Sequence, residues 1–156
     1  MNFETRTILL VEDNPDDVFI FKRAWTQAEI RNPLQVVSDG QQAVDYLSGE
    51  GAFTDRARFP LPIAIMLDLK LSFKSGLAVL EWMQGRPHLA DISVIVLTSS
   101  AEPRDILRAY QLGARSYLTK PPHAATLTEL ISALRRISKE DFHLSEDKFQ
   151  DLSQPR

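Results

Sequence analysis

The 156-residue chain has no cysteine, which removes thiol nucleophiles, disulfides and thiolate-ligated metals from consideration. Any chemistry must come from carboxylates, hydroxyls, lysines or the three histidines, and the absence fits a reducing compartment. No apolar run approaches the length that crosses a bilayer, and the start Met1-Asn2-Phe3-Glu4 lacks a basic and apolar leader, so the cytoplasm is the expected location. An excess of one charge is also missing. The net charge is −3, and residues 139–156 carry −2 of it, with three Lys/Arg against five Asp/Glu. The remainder is near neutral, a poor footprint for binding nucleic acid. What is present, 44% hydrophobic and 25% charged residues, suits one domain with a substantial core.

The run Ile63-Ala64-Ile65-Met66-Leu67 ends at Asp68 and is followed by a polar loop, Ser72 to Gly76. A short unbroken apolar run of this kind predicts a strand buried on both faces of a parallel sheet. Asp68 then stands at the strand's carboxyl end, the edge where open α/β sheets bind ligands, as a turn or cap residue or as a reactive group. Other runs repeat the pattern. Thr7 to Val11 ends at Glu12-Asp13, and Asn14-Pro15-Asp16-Asp17 reads as a helix start: a cap, a proline at the first helical position and acids at the positive end of the dipole. Val18, Phe21, Trp25 and Ala28 give that first helix an inward face.

Leu34 to Val37 is a second strand, and Asp39-Gly40 leads into a helix carrying Ala43, Val44 and Leu47. Ser48 to Pro62 has no apolar period and reads as a loop or insertion. After strand 3, residues 76–84 continue as a helix with Leu77, Leu80 and Met83 available for the core, ended before Pro87. Ile92 to Leu97 is strand 4, closing in Thr98-Ser99-Ser100; a helix from about Pro103 to Leu112 presents Ile106, Ala109 and Tyr110, with Gly113 as its stop. Ser116 to Thr119 is strand 5, followed by Lys120-Pro121-Pro122 and a helix with the stripe Leu127, Leu130, Ile131, Leu134 and Ile137. Five βα units in succession predict a doubly wound parallel sheet with helices on both faces.

Such a sheet gathers the carboxyl ends of its strands at one edge. Glu12 and Asp13 leave strand 1, Asp68 strand 3, Thr98 strand 4 and Lys120 strand 5, so three acids, a hydroxyl and an ammonium converge across more than a hundred residues of sequence. Each alone has a bland explanation as a solvated acid, a cap or a surface charge. All of them at the same end of their own strands do not.

Residues 5–138 closely resemble the receiver domain of bacterial two-component response regulators. The resemblance rests on Leu10-Val11-Glu12-Asp13-Asn14, Met66-Leu67-Asp68-Leu69, Leu97-Thr98-Ser99, Gly113-Ala114 and Tyr117-Leu118-Thr119-Lys120-Pro121. It implies a flavodoxin-like α/β fold with strand order 2-1-3-4-5. It further implies that Asp68 accepts a phosphoryl group from a phosphohistidine on a sensor histidine kinase or a histidine phosphotransfer protein. A transferring phosphoryl group spreads negative charge over its oxygens, so positioning and cations matter most. Mg²⁺, a hard ion that prefers oxygen ligands, is assigned to Asp13, Asp68, the backbone carbonyl of Lys70 and, through water, Glu12. On the same resemblance, Lys120, Thr98 and Ser99 are expected to bind the phosphate. The resemblance also implies that Thr98 and Tyr117 form a switch that alters the face made by the fourth helix, fifth strand and fifth helix, by a population shift that a downstream protein partner reads. The Lys120-Pro121 peptide is expected to be cis.

Several features depart from the family pattern. The loop Lys70-Leu71-Ser72-Phe73-Lys74-Ser75 lacks the proline common at the Ser72 position and the Asp or Asn common before the glycine, and Pro122 after Pro121 is unusual. Lys70, two residues past the acceptor, is expected to alter the lifetime of the aspartyl phosphate. The expected organisation is a receiver domain over 1–138, with an insertion at 48–62, and an acidic tail over 139–156 that is too short for an output domain. The insertion and tail together resemble single-domain receivers of the phytochrome-associated type, which implies a light-sensing histidine kinase as donor and a homodimer through the helix 4, strand 5 and helix 5 face. Rival readings are a receiver-like scaffold that takes no phosphate, an aspartyl-phosphate phosphohydrolase and a flavin carrier. Against the last two, Glu12-Asp13-Asn14-Pro15 lacks an Asp-x-Asp nucleophile pattern, and the acidic turn offers no phosphate cradle.

Overall fold

Three apolar runs, Ile8–Val11, Ala64–Asp68 and Ser93–Thr98, are buried along their whole length and form the centre of one sheet. The computed structural model describes residues 2–99 and 102–140. Its elements run β1 (Ile8–Val11), α1 (Pro15–Gln27), β2 (Leu34–Val37), α2 (Gly40–Ser48), β3 (Ala64–Asp68), α3 (Gly76–Met83), β4 (Ser93–Thr98), α4 (Pro103–Gln111), β5 (Ser116–Thr119) and α5 (Ala124–Glu140). All strand pairs are parallel, in the order β2-β1-β3-β4-β5. The predicted fold class and strand order are therefore observed, and most element ends lie within a residue or two of expectation. The predicted acidic tail and Ser100 lie outside the described residues, apart from the last turn of α5.

Alternation along each strand divides the core in two, because successive side chains point to opposite faces. Ile8, Leu10, Ala64, Met66, Ile95 and Leu97 face α1 and α5, where Phe21, Trp25, Leu127, Leu130, Ile131 and Leu134 complete one layer. Leu9, Val11, Ile65, Leu67, Val94 and Val96 face α2, α3 and α4. Five strands and two helical layers bring every carboxyl strand end to the same edge.

Two glycines place the loop after β3 against that edge. A Cβ on Gly76 would lie 2.3 Å from the Asp68 carbonyl oxygen, and one on Gly40 would lie 1.9 Å from the Lys74 oxygen, so both backbones approach more closely than any side chain allows. Of the expected inward residues of α3, Leu80 is buried and Leu77 and Met83 are partly buried against the same core, which Val79 also enters.

The segment 48–62 is more than a connection. Tyr46 is fully buried, where Val44 was expected inward and is half-exposed, and its hydroxyl donates to the Pro60 oxygen at 2.8 Å. Phe53 and Phe59 pack on its ring at centroid distances of 5.1 and 6.0 Å. Arg56 donates to the oxygens of Tyr46 (2.7 Å), Leu47 (2.8 Å) and Phe59 (3.0 Å), closing the carboxyl end of α2. This aromatic lobe sits at the amino-terminal edge of the strands, away from Asp68.

Candidate functional site

The site begins with how β1 ends. The Glu12 N–H donates to the Val37 oxygen at 3.1 Å, carrying the ladder one residue past the strand, and the chain then turns through Asn14. The Asn14 side chain accepts from Asp16 N at 2.8 Å and Asp17 N at 3.4 Å, capping α1 as its sequence predicts. Asn14 N in turn donates to Glu12 Oε2 at 3.1 Å. The turn therefore holds Glu12 inward and buried, with Asp13 half-exposed beside it.

Asp68 closes β3 and is buried. Its Oδ1 accepts from Lys70 N at 3.0 Å, which orients the carboxylate. Oxygens of Glu12, Asp13 and Asp68 all lie within 4.8 Å of one another, as the sequence led us to expect. Thr98, buried at the end of β4, is linked to the next strand through its carbonyl, which accepts from Lys120 N at 2.8 Å. The Lys120-Pro121 peptide is cis. Ser99 is exposed, and Lys70 projects from the exposed loop.

Lys120 returns its side chain into the acid cluster. Its ammonium lies 2.5 Å from Glu12 Oε1, 2.9 Å from Asp68 Oδ2 and 3.1 Å from Asp17 Oδ2. Burial pushes the Glu12 carboxyl up to about 7, against the pull of the hydrogen bonds from Lys120 and Asn14 N–H. For Lys120, burial works to lower the pKa, but the bonds to Glu12, Asp68 and Asp17 outweigh it and hold the ammonium above the ordinary lysine range. Lys120 is thus charged, and it neutralises part of a cluster that would otherwise repel itself.

Two participants were not anticipated. Asp17 appears in the sequence as a first-turn acid favourable to the helix dipole. Yet with Phe21 and Ala24 it shares the inward stripe of α1, and an acid on a buried stripe was the available signal. Ser72 donates through both its N–H (3.1 Å) and its hydroxyl (2.9 Å) to Asp13 Oδ2. The turn that follows carries Phe73 at φ +66°, exposed, with Lys74 N donating to the Ser72 oxygen at 2.7 Å. Nothing in the spacing of Ser72 announces this contact across 59 residues.

Tyr117 is half-buried on β5, and its ring meets that of Tyr110 on α4 edge-on at 6.5 Å. Burial pushes the Tyr110 hydroxyl up to about 12, with a smaller contribution from Tyr117, and that hydroxyl has no hydrogen-bond partner among the described residues. The two rings join β5 to α4 at the level of Val96, two residues before Thr98 in β4.

The chemical capacity of the arrangement is clear from the donor set: a cluster of hard carboxylate oxygens and a largely buried ammonium around one oriented aspartate. Comparison with known proteins agrees. A family model described as the response regulator receiver domain matches residues 8–132. The response regulator Rcp1 of Synechocystis sp. is 32% identical over 129 residues, covering 83% of this chain and 86% of that protein. A crystal structure of the Mn²⁺-bound form of Rcp1 has a TM-score of 0.67 at 30% identity, over 90% of this chain and 97% of that one. The bacteriophytochrome response regulator RtBRR has a TM-score of 0.74 at 38% identity, over 83% and 78% of the two chains. The phosphorylated cyanobacterial phytochrome response regulator RcpA has a TM-score of 0.71 at 31% identity, over 85% and 93%.

Proposed function

The chain belongs to the response regulator receiver domain family, a family of signalling proteins, and we propose that its phosphoacceptor is Asp68, supplied by a phosphohistidine of a sensor histidine kinase or histidine phosphotransfer protein. The observation that carries this reading is the largely buried Lys120 ammonium, 2.9 Å from a carboxylate that a backbone N–H already orients. An Asp68 oxygen attacks phosphorus. The O–P bond forms as the P–N bond to the donor imidazole breaks, and the bonding pair leaves on nitrogen, which takes up a proton. Lys120 stabilises the negative charge on the phosphoryl oxygens, and the Thr98 hydroxyl, with Ser99 at the rim, provides hydrogen-bond donors for them.

The acids fit a hard divalent ion. Glu12, Asp13 and Asp68 offer carboxylate oxygens within 4.8 Å of one another, and oxygen-only donors of this kind suit Mg²⁺. Asp13, Asp68 and the Lys70 carbonyl would hold it, with Glu12 in support because its Oε1 is already taken by Lys120. When bound, the ion supplies positive charge against the phosphoryl oxygens. Hydrolysis of the chain's own aspartyl phosphate returns it to rest, and no other catalysis is assigned to it.

The output is a change at the α4, β5 and α5 face. Thr98 and Tyr117 form the switch in this reading, supported by the edge-on contact of Tyr117 with Tyr110, through which a shift of either ring reaches α4. The same face, with Leu107 exposed on α4, is the proposed homodimer surface. The likeness to phytochrome response regulators supports a light-sensing kinase as donor. No helix among the described residues is long and apolar enough to cross a membrane, and a cytoplasmic location goes with this partner.

Incubation with Mg²⁺ and acetyl phosphate, read by intact mass beside Asp68→Asn, tests the proposal. One phosphoryl group on the unmodified chain and none on the variant supports it. An adduct on both would move the acceptor to another residue, and no adduct on either would favour a scaffold that takes no phosphate.

A further inference from the structure

An ammonium has three N–H donors, and Lys120 has three carboxylate partners, Glu12 at 2.5 Å, Asp68 at 2.9 Å and Asp17 at 3.1 Å. Phosphorylation turns the Asp68 carboxylate into an acyl phosphate, and the donor that Asp68 held passes to the phosphoryl group; a second phosphoryl oxygen can reach Lys120 only by taking the place of Glu12 or Asp17. These two are not equivalent. The Glu12 side chain is 2% exposed, whereas that of Asp17 is 35% exposed. A buried carboxylate deprived of its cation is costly, while an exposed one is recovered by water. Asp17 has a second source of compensation in the first turn of α1, where Asn14 caps the backbone N–H groups of Asp16 and Asp17 and the dipole favours negative charge. It is the partner that Lys120 can leave at least cost.

Resting on the assignment of Asp68 as acceptor, we infer that Asp17 is a positioning residue for the phosphoryl transfer: it holds the third donor of Lys120 until a phosphoryl oxygen takes it. Asp17 keeps the ammonium drawn toward α1 in the resting chain. On phosphorylation that donor passes to the phosphate, and the Asp17 carboxylate is released to solvent on the surface of α1. The acid thereby opposes phosphorylation and is itself changed by it.

The full chain is tested as Asp17→Asn and Asp17→Glu, with Asp16→Asn as a control that removes a neighbouring exposed charge of the same sign without touching Lys120. Labelling by acetyl phosphate with Mg²⁺ is followed by intact mass. The Lys120 ammonium is followed by ¹⁵N NMR in metal-free buffer, where no phosphoryl chemistry occurs. Asp17→Asn labels about two- to fivefold faster, the scale of one partly exposed charge pair, and its ammonium signal shifts and exchanges faster with water. Asp17→Glu and Asp16→Asn stay close to the unmodified chain in both readouts. Labelling of Asp17→Asn at an unchanged or lower rate, or an equal gain in Asp16→Asn, overturns the inference while leaving Asp68 as acceptor. Absence of an adduct on every chain overturns the acceptor assignment beneath it.

Discussion

Replacing Arg56 by alanine should separate what builds the fold from what does the chemistry. Arg56 donates to three carbonyl oxygens at 2.7, 2.8 and 3.0 Å, two of them at the end of α2 where helix carbonyls have no partner of their own. Hydrogen bonds to charged groups contribute about 1.5–3 kcal/mol each. Here two bonds share one nitrogen, and water recovers part of what is lost at a half-buried site. A total near 3 kcal/mol is the reasonable sum, which lowers Tm by roughly 6–12 °C in a chain of this size. Urea unfolding should show a lower midpoint with unchanged slope, because the same surface is exposed on unfolding. Arg56→Lys, with a single ammonium in place of a fork, should recover only part of the loss. The 48–62 lobe lies at the opposite edge of the sheet from Asp68, so the folded variant should label with acetyl phosphate at the original rate. A loss below about 0.5 kcal/mol, the range of an ordinary surface change, would refute the view that Arg56 ties the lobe to α2. A large fall in labelling rate at full folding would refute the separation of lobe and site.

Two further perturbations act on the site itself. Lys120→Met removes the cation from three carboxylates and should destabilise the metal-free chain by about 3 kcal/mol, the low end for breaking a buried pair. Mg²⁺ at a hundredfold excess over its Kd should restore about 2.7 kcal/mol, and urea titrations with EDTA and with Mg²⁺ test both numbers. Lys70→Ala should change the rate at which phosphate is lost from the isolated phosphorylated chain, leaving the rate of labelling within about twofold because Lys70 holds Asp68 through its backbone N–H rather than its side chain. An unchanged dephosphorylation rate would remove the Lys70 side chain from the account.

The parts of this molecule that were legible in advance are those dictated by local physics. Unbroken apolar runs ending in Asp68, Thr98 and Glu12-Asp13 can form only buried strands with polar ends, and five βα units leave few topologies. The convergence of Glu12, Asp13, Asp68, Thr98 and Lys120 follows from that topology alone. What escaped depends on contacts that no period encodes. Asp17 satisfied the rule for first-turn acids, and that local explanation concealed its place on the inward stripe of α1. Ser72 reaches Asp13 because the backbone of Gly76 lies against Asp68 and that of Gly40 against Lys74, a constraint visible only once the strands are side by side. In the 48–62 lobe, three carbonyls are gathered by one guanidinium, and irregular backbone gives that arrangement no signature in sequence.

The central claim, that the oriented carboxylate beside Lys120 is the group that carries the phosphate, is tested most directly by locating the modification. The chain phosphorylated in the presence of Mg²⁺ is treated with borohydride, which reduces an aspartyl phosphate to homoserine, and its peptides are sequenced by mass spectrometry. The account predicts homoserine at position 68 and unmodified aspartate at 13, 16 and 17. Homoserine at Asp13 or Asp17, or at no position in a chain whose intact mass had gained a phosphoryl group, would contradict it.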